Sequence, residues 1–166
     1  SIYGLSKSIM EHLFFNLADT SNTKFTSVRF GNIAWSSGSV LPIWESMYQK
    51  NKKIITTGYD MKRYVFSVQD AVNLVIRSLE NYKILNGKII SQEMKSVKIA
   101  DLLKIFANEY NCKWVKGKKR YGDQQDEILI GQSEIKKTKI KKINNIVHYI
   151  IDYKQDDLSN LKQEIS

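Results

Sequence analysis

Apolar residues recur at Leu5, Ile9, Met10, Leu13, Phe14 and Leu17, a spacing of three and four that predicts an amphipathic helix over residues 5–17. The polar run Asp19–Lys24 ends it. Phe25–Trp35 (FTSVRFGNIAW) is rich in β-formers and lacks the polar alternation of an exposed edge, so it reads as a buried strand running into a loop at Ser36–Ser39. A second helix is expected from near Val40 to about Asn51, with Pro42 tolerated in its first turn. Lys53–Thr57 reads as a short strand closed by a turn at Gly58–Asp60. Ser67-Val-Gln-Asp70 has the layout of a capping box and opens a third helix through Ala71, Val72, Val75, Ile76 and Leu79. Gly87–Gln92 is a further short strand. Ser96 is placed to cap a fourth helix with Ile99, Leu102, Leu103, Phe106 and Ala107 on one face. A Lys/Gly-rich loop, a strand or extended piece at Glu127–Ile130 and two short helical stretches complete the pattern. Helices and strands alternate without an internal repeat, and the fold class is α/β.

Composition narrows this picture. At 166 residues and 19.3 kDa the chain is long enough for one domain with a core and is not clearly two. No apolar run approaches the ~18 residues of a membrane span. The opening SIYGLSKSIMEHLF has neither a signal-peptide layout nor an initiator Met, which fits a fragment of a longer protein. A single cysteine, Cys112, excludes an internal disulfide and fits a cytoplasmic setting. With His12 and His148 far apart, no metal site is expected. The net charge of +9 is carried almost wholly by lysine, since only Arg29, Arg63, Arg77 and Arg120 are arginine. Lysines spread over helices are a solvated surface; an arginine fork is the group suited to bidentate phosphate recognition. No strand is followed by G-x-G-x-x-G or G-x-x-G-x-x-G, so these residues carry no pyrophosphate loop.

Tyr3 and Lys7 lie four apart and so share one helix face. An ammonium near a phenol favours phenolate, the form that can take a proton. The spacing is cheap, because 9 tyrosines among this many lysines yield roughly one such pair by chance, and Tyr48…Lys52 is a second. Context has to carry it.

That context is an ordered series. YGLSKSIMEHLF is followed by VRFGNIAWSSGSVLPIWESM, then by GYDMKRYVFSVQDAVNLVIRSLE, and RYGDQQDE occupies Arg120–Glu127. Over roughly residues 1–135 the chain resembles the extended short-chain dehydrogenase/reductases of the polysaccharide-biosynthesis type. Within them it is most similar to the UDP-N-acetylglucosamine 4,6-dehydratases, including the inverting 4,6-dehydratase/5-epimerases. The resemblance implies the C-terminal part of a Rossmann-like doubly wound fold with a small α/β substrate-binding subdomain. Residues 1–36 would be the last helix and strand of the dinucleotide-binding domain, 37–135 the nucleotide-sugar region and 136–166 a helical tail.

The same resemblance assigns roles. Tyr3 and Lys7 would be catalytic, with Tyr3 taking the 4-hydroxyl proton as hydride passes to NADP or NAD, whose main binding loop would lie upstream. Gly31, Asn32 and Ile33 would pass near the nicotinamide. Asn32, Ser39, Val40 and Thr57 would line the pocket for a UDP-N-acetylhexosamine. Arg63 and Arg120 would reach the diphosphate and Glu127 the ribose hydroxyls. Turn chemistry is the competing account of Asn32, Ser39 and Arg63, and a surface charge that of Arg120. Arg29, mid-strand, is expected to be buried and ion-paired. Ser37 stands where the family has Arg, Lys62 where it has Thr, Tyr121 where it has Pro and Gln124 where it has Lys. Trp35 and Trp44 are candidates for reshaping the pocket.

A homo-oligomeric intact enzyme is implied, and the chain alone is expected to bind cofactor weakly and turn over nothing. A UDP-hexose 4-epimerase and a non-catalytic sugar-nucleotide-binding relative are the nearest alternatives. A nucleic-acid module would account for the charge, but no helix-turn-helix, RNP sheet or zinc finger is present, so neither nucleic acid nor membrane is expected as partner.

Overall fold

The computed structural model describes residues 2–118 and 126–155. Its elements in chain order are α1 (Ile2–Thr20), β1 (Thr26–Val28), β2 (Asn32–Ile33), α2 (Val40–Asn51), β3 (Lys53–Thr56), β4 (Lys62–Phe66) and α3 (Val68–Glu80). There follow β5 (Lys88–Gln92), β6 (Lys95–Lys98), α4 (Ile99–Glu109), β7 (Lys113–Lys116), a 3-10 helix (Gln132–Lys137), β8 (Thr138–Ile143) and β9 (Ile146–Ile151). The fold is mixed α/β with parallel strand pairs, as the alternation of periods indicates.

Two compact units alternate along the chain. Among the described residues, the first gathers those up to 30, 72–93 and those from 129 onward, the second 31–71 and those between 94 and 128. This differs from a linear division near 36 and 135. Residues 72–93 join the first unit because β5 pairs in parallel with β1; Ile89 and Ile90, on opposite faces of β5, are both buried.

The first unit holds a four-stranded sheet in the order β1-β5-β9-β8, with β9 antiparallel to both neighbours. Residues 138–151, expected within a helical tail, are a β-hairpin. Its turn is Asn144-Asn145, with φ of 48° and 63°, the left-handed pair a two-residue hairpin requires and asparagine tolerates. Arg29 is paired as expected. It donates to Glu11 at 2.7 Å, to Glu134 at 2.9 Å and to the Leu129 carbonyl at 2.7 Å. On α1, Leu5, Ile9, Leu13 and Leu17 are exposed, while Phe14 stacks on Phe25 and Phe15 meets Tyr153 edge-on.

The second unit is built on a core of Trp44, Ile54, Met61, Ile99, Leu103 and Phe106, with Trp44 and Phe106 edge to face at 5.7 Å. Its strands form two small sheets, β2-β4-β6 and β3-β7. The stretch expected as one buried strand at 25–35 is thus two short, half-buried strands in different sheets. Ser96 does not cap α4: it lies in β6, opposite Tyr64 of β4, and Lys98 is the N-cap. The first N–H of that helix is taken instead by the Met61 carbonyl at 2.9 Å. At Glu127–Ile130 no strand forms; a single parallel bridge joins Lys62 to Asp126.

Candidate functional site

Within the second unit lies a cavity of about 500 Å³. Its walls come from β2 and the loop after it, the first half of α2, the end of β3 with the turn beyond, β4, β6 and the start of α4. Most of the lining is apolar, including Ile33, Trp44, Met47, Ile55, Val97 and Leu102. Polar groups are few: Asn32, Ser39, Thr56, Thr57 and Arg63. A mainly apolar concavity with a small convergent polar set is the usual form of a small-molecule site.

The local reasons for these placements can be read residue by residue. Ser39 has an extended backbone at the N-cap of α2 and makes no side-chain capping bond. Its hydroxyl is buried and, among the described residues, has no hydrogen-bond partner. Val40 and Leu41 follow in the first turn of α2, where main-chain N–H groups have no intrahelical acceptor, while Pro42 has no N–H to leave unmet. That end of the cavity therefore favours an anion. Thr57 precedes the turn in which the Met61 N–H donates to Gly58 at 2.9 Å. Arg63 sits mid-strand in β4 opposite Val97, not in a turn. Its guanidinium donates to the Lys62 carbonyl at 2.7 Å and to Met61 Sδ at 2.9 Å.

Asn32, Ile33, Ser39, Val40, Thr57 and Arg63 are brought together on this one cavity. Gly31 and Glu127 flank it without lining it. Gly31 lies so near β4 that a Cβ would come 2.7 Å from the Tyr64 carbonyl oxygen. The Glu127 carboxylate accepts from Asn32 Nδ2 at 2.9 Å and from the Tyr64 N–H at 3.1 Å. Arg120 lies outside the described residues. Trp44 shapes the cavity wall, and Trp35, half-exposed with φ of 61°, does not line it. Val97 and Leu102 went unforeseen, because apolar residues on β6 and α4 carry no motif, and Met61, inside the GYDMKRY run, had been given no site role.

Tyr3 and Lys7 belong to the first unit. Both side chains leave the same face of α1, with the Lys7 ammonium 5.2 Å from the centre of the Tyr3 ring. Tyr3 is exposed, and its carbonyl accepts from the Ser6 hydroxyl at 2.8 Å. The chance counterpart, Tyr48, is packed edge-on against Tyr110, and Lys52 serves as the left-handed C-cap of α2. That pair is structural. Among the described residues no cluster of three or more His, Cys, Asp or Glu is placed to hold a metal, and no helix is long and apolar enough to cross a membrane.

Comparison with known proteins adds four findings. A family model described as polysaccharide biosynthesis protein matches residues 1–148. The inverting UDP-N-acetylglucosamine 4,6-dehydratase of Campylobacter jejuni (serotype O:23/36, strain 81-176) is 29% identical over 138 residues, covering 81% of this chain and 40% of that protein. The UDP-glucose 4-epimerase of Rickettsia canadensis is 28% identical over 144 residues, covering 82% of this chain and 41% of the relative. Among solved structures, Pen from Bacillus thuringiensis superposes with a TM-score of 0.80 at 28% identity, over 90% of this chain and 47% of that one. The chain spans less than half the length of each of these proteins.

Proposed function

We propose, from the premise that this chain belongs to the polysaccharide biosynthesis protein family of extended short-chain dehydrogenase/reductases, that it forms the nucleotide-sugar side of an NAD(P)-dependent UDP-sugar 4,6-dehydratase. The observation that carries this is the cavity of the second unit, where Asn32, Ser39, Val40, Thr57 and Arg63 meet on an apolar wall. Six positions chosen from motifs converge on one concavity, Ile33 being the sixth.

The chemistry divides among them. The start of α2 and the Arg63 fork supply positive potential and N–H donors for a diphosphate, and Arg120 is proposed to add a second fork. The apolar wall excludes water from the sugar, which strengthens those contacts. Tyr3 receives the proton of the sugar 4-hydroxyl, with Lys7 beside it on the same helix face. By the family resemblance, Lys7 would hold a cofactor ribose and Gly31–Ile33 would run along a nicotinamide. A bound nicotinamide cofactor supplies the hydride acceptor and donor.

Titration calorimetry with UDP-N-acetylglucosamine tests the site, and turnover by the whole protein tests the chemistry. Arg63→Ala is expected to weaken binding about 10- to 100-fold, as loss of a charge-assisted pair does. Tyr3→Phe is expected to leave binding intact and to lower turnover by at least about 100-fold. A Tyr3→Phe enzyme of normal activity refutes the assignment of the base. The similarity to a UDP-glucose 4-epimerase favours epimerisation at C4 as the second reading. A 4-keto-6-deoxy product separates dehydration from a C4 epimer formed without loss of water.

A further inference from the structure

Asn32 stands on β2 in register with Val65 of β4, and its amide nitrogen donates twice: at 2.9 Å to Glu127 Oε2 and at 3.1 Å to the Tyr64 carbonyl. The same Glu127 oxygen takes the Tyr64 N–H at 3.1 Å. Neither acceptor can donate in return. One is a main-chain carbonyl, and the other already receives two N–H groups. A flipped amide would set Oδ1 against both oxygens, so chemistry decides which end faces them. Nδ2 has two hydrogens and both are committed. The polar atom that remains for a ligand is Oδ1, an acceptor. The bridge from Lys62 to Asp126 holds the residue before Glu127 against β4, so main-chain pairing sets where the carboxylate lies.

Resting on the nucleotide-sugar reading, we infer that Asn32 is the acceptor through which the cavity reads the sugar, and that Glu127 is a positioning residue that fixes its polarity. An acceptor suits a sugar hydroxyl or an acetamido N–H. It cannot receive an ionised phosphate oxygen, which has no proton to offer. The diphosphate is thereby left to the donors of the same cavity: Arg63, the Ser39 hydroxyl and the opening N–H groups of α2. The cavity sorts the two halves of its ligand by the direction of their hydrogen bonds. Glu127 acts through Asn32.

Calorimetry on the full chain with UDP-N-acetylglucosamine and with UDP separates these roles. Glu127→Ala frees the amide to rotate and is expected to weaken UDP-N-acetylglucosamine about tenfold while UDP stays within about twofold. Glu127→Gln, whose Oε1 can take both N–H groups, is expected to hold both ligands within about threefold. Asn32→Ala is expected to behave as Glu127→Ala does. Equal loss of UDP and UDP-N-acetylglucosamine in Glu127→Ala overturns the positioning role, because a direct ribose contact behaves that way. A wild-type chain that binds neither ligand overturns the nucleotide-sugar reading, and the sugar-reading role with it. A readout without ligand is the Asn32 side-chain NH₂ pair in ¹⁵N NMR spectra. Its hydrogens are expected to exchange slowly in the wild type and in Glu127→Gln and quickly in Glu127→Ala; fast exchange in the wild type overturns the proposal without any variant.

Discussion

At Gly31 the lack of a side chain sets how closely β2 approaches β4. A Cβ would lie 2.7 Å from both the Cβ and the carbonyl oxygen of Tyr64, and that carbonyl is the one that takes Asn32 Nδ2. Gly31→Ala is therefore expected to cost about 1–3 kcal/mol through overpacking and to weaken nucleotide-sugar binding along with it. Chemical denaturation checks the first effect, and an unchanged midpoint would count against the close approach. The R-F-G-N run marked the glycine as part of a motif, yet its reason lies in Tyr64, on another strand. Arg29 behaves alike. One arginine mid-strand in a lysine-rich chain pointed to an ion pair, but Glu11 and Glu134 could be named only once the chain had folded.

Among the elements, α3 was the most legible. Ser67 Oγ accepts the Asp70 N–H at 3.0 Å, as the capping-box spacing suggested, while the Asp70 carboxylate takes the Ser67 hydroxyl at 2.6 Å. Ser67→Ala is expected to remove about 1 kcal/mol of stability, read as a lower thermal midpoint. The same helix shows how far a stripe goes: Leu74 is fully buried, whereas Val72, Val75, Ile76 and Leu79 are exposed. Helical period reports that an apolar face exists and not what covers it. Two elements were missed for a common reason. In β7 (KWVK) and β8 (TKIKKI) lysines dilute the β-branched signal, and the partner strand is what makes each a strand. The Asn144-Asn145 turn was a local cue that a helical tail did not accommodate.

Stability of the whole molecule is expected to depend on pH through one cluster in its first unit. Burial alone would raise the Glu134 carboxyl, but hydrogen bonds from Arg29, Tyr153 and the Gly131 N–H outweigh it and hold the group at about 2, below its ordinary 4.5. A carboxyl lowered in the folded state stabilises fully above pH 4.5, and the contribution is lost as pH falls toward 2. It amounts to about 3 kcal/mol at most. Burial, and then its bond to Glu134, push Tyr153 up from 10 to about 12, so its share is present below pH 10 and lost as pH rises toward 12. Denaturant midpoints measured across pH are expected to show a plateau between these limbs. Glu134→Gln is expected to lower the plateau and flatten the acid limb. An acid limb left unchanged in that variant would remove Glu134 as its cause.

Residue order was enough for the α/β class, for all four α-helices and for the family, because helix period and ordered short motifs are local and survive without knowledge of partners. It also pointed to six of the positions that line the cavity. The split of residues 25–35 into two sheets, the hairpin at 138–151, the burial of one helix face over another and the pairing of Asn32 with Glu127 were decided only by tertiary structure. The hairpin pairs locally, but β9 is held by β5 about sixty residues earlier, and the others likewise depend on contacts tens of positions apart, where strand partners, covering faces and committed hydrogen bonds are chosen by packing and not by the local chain.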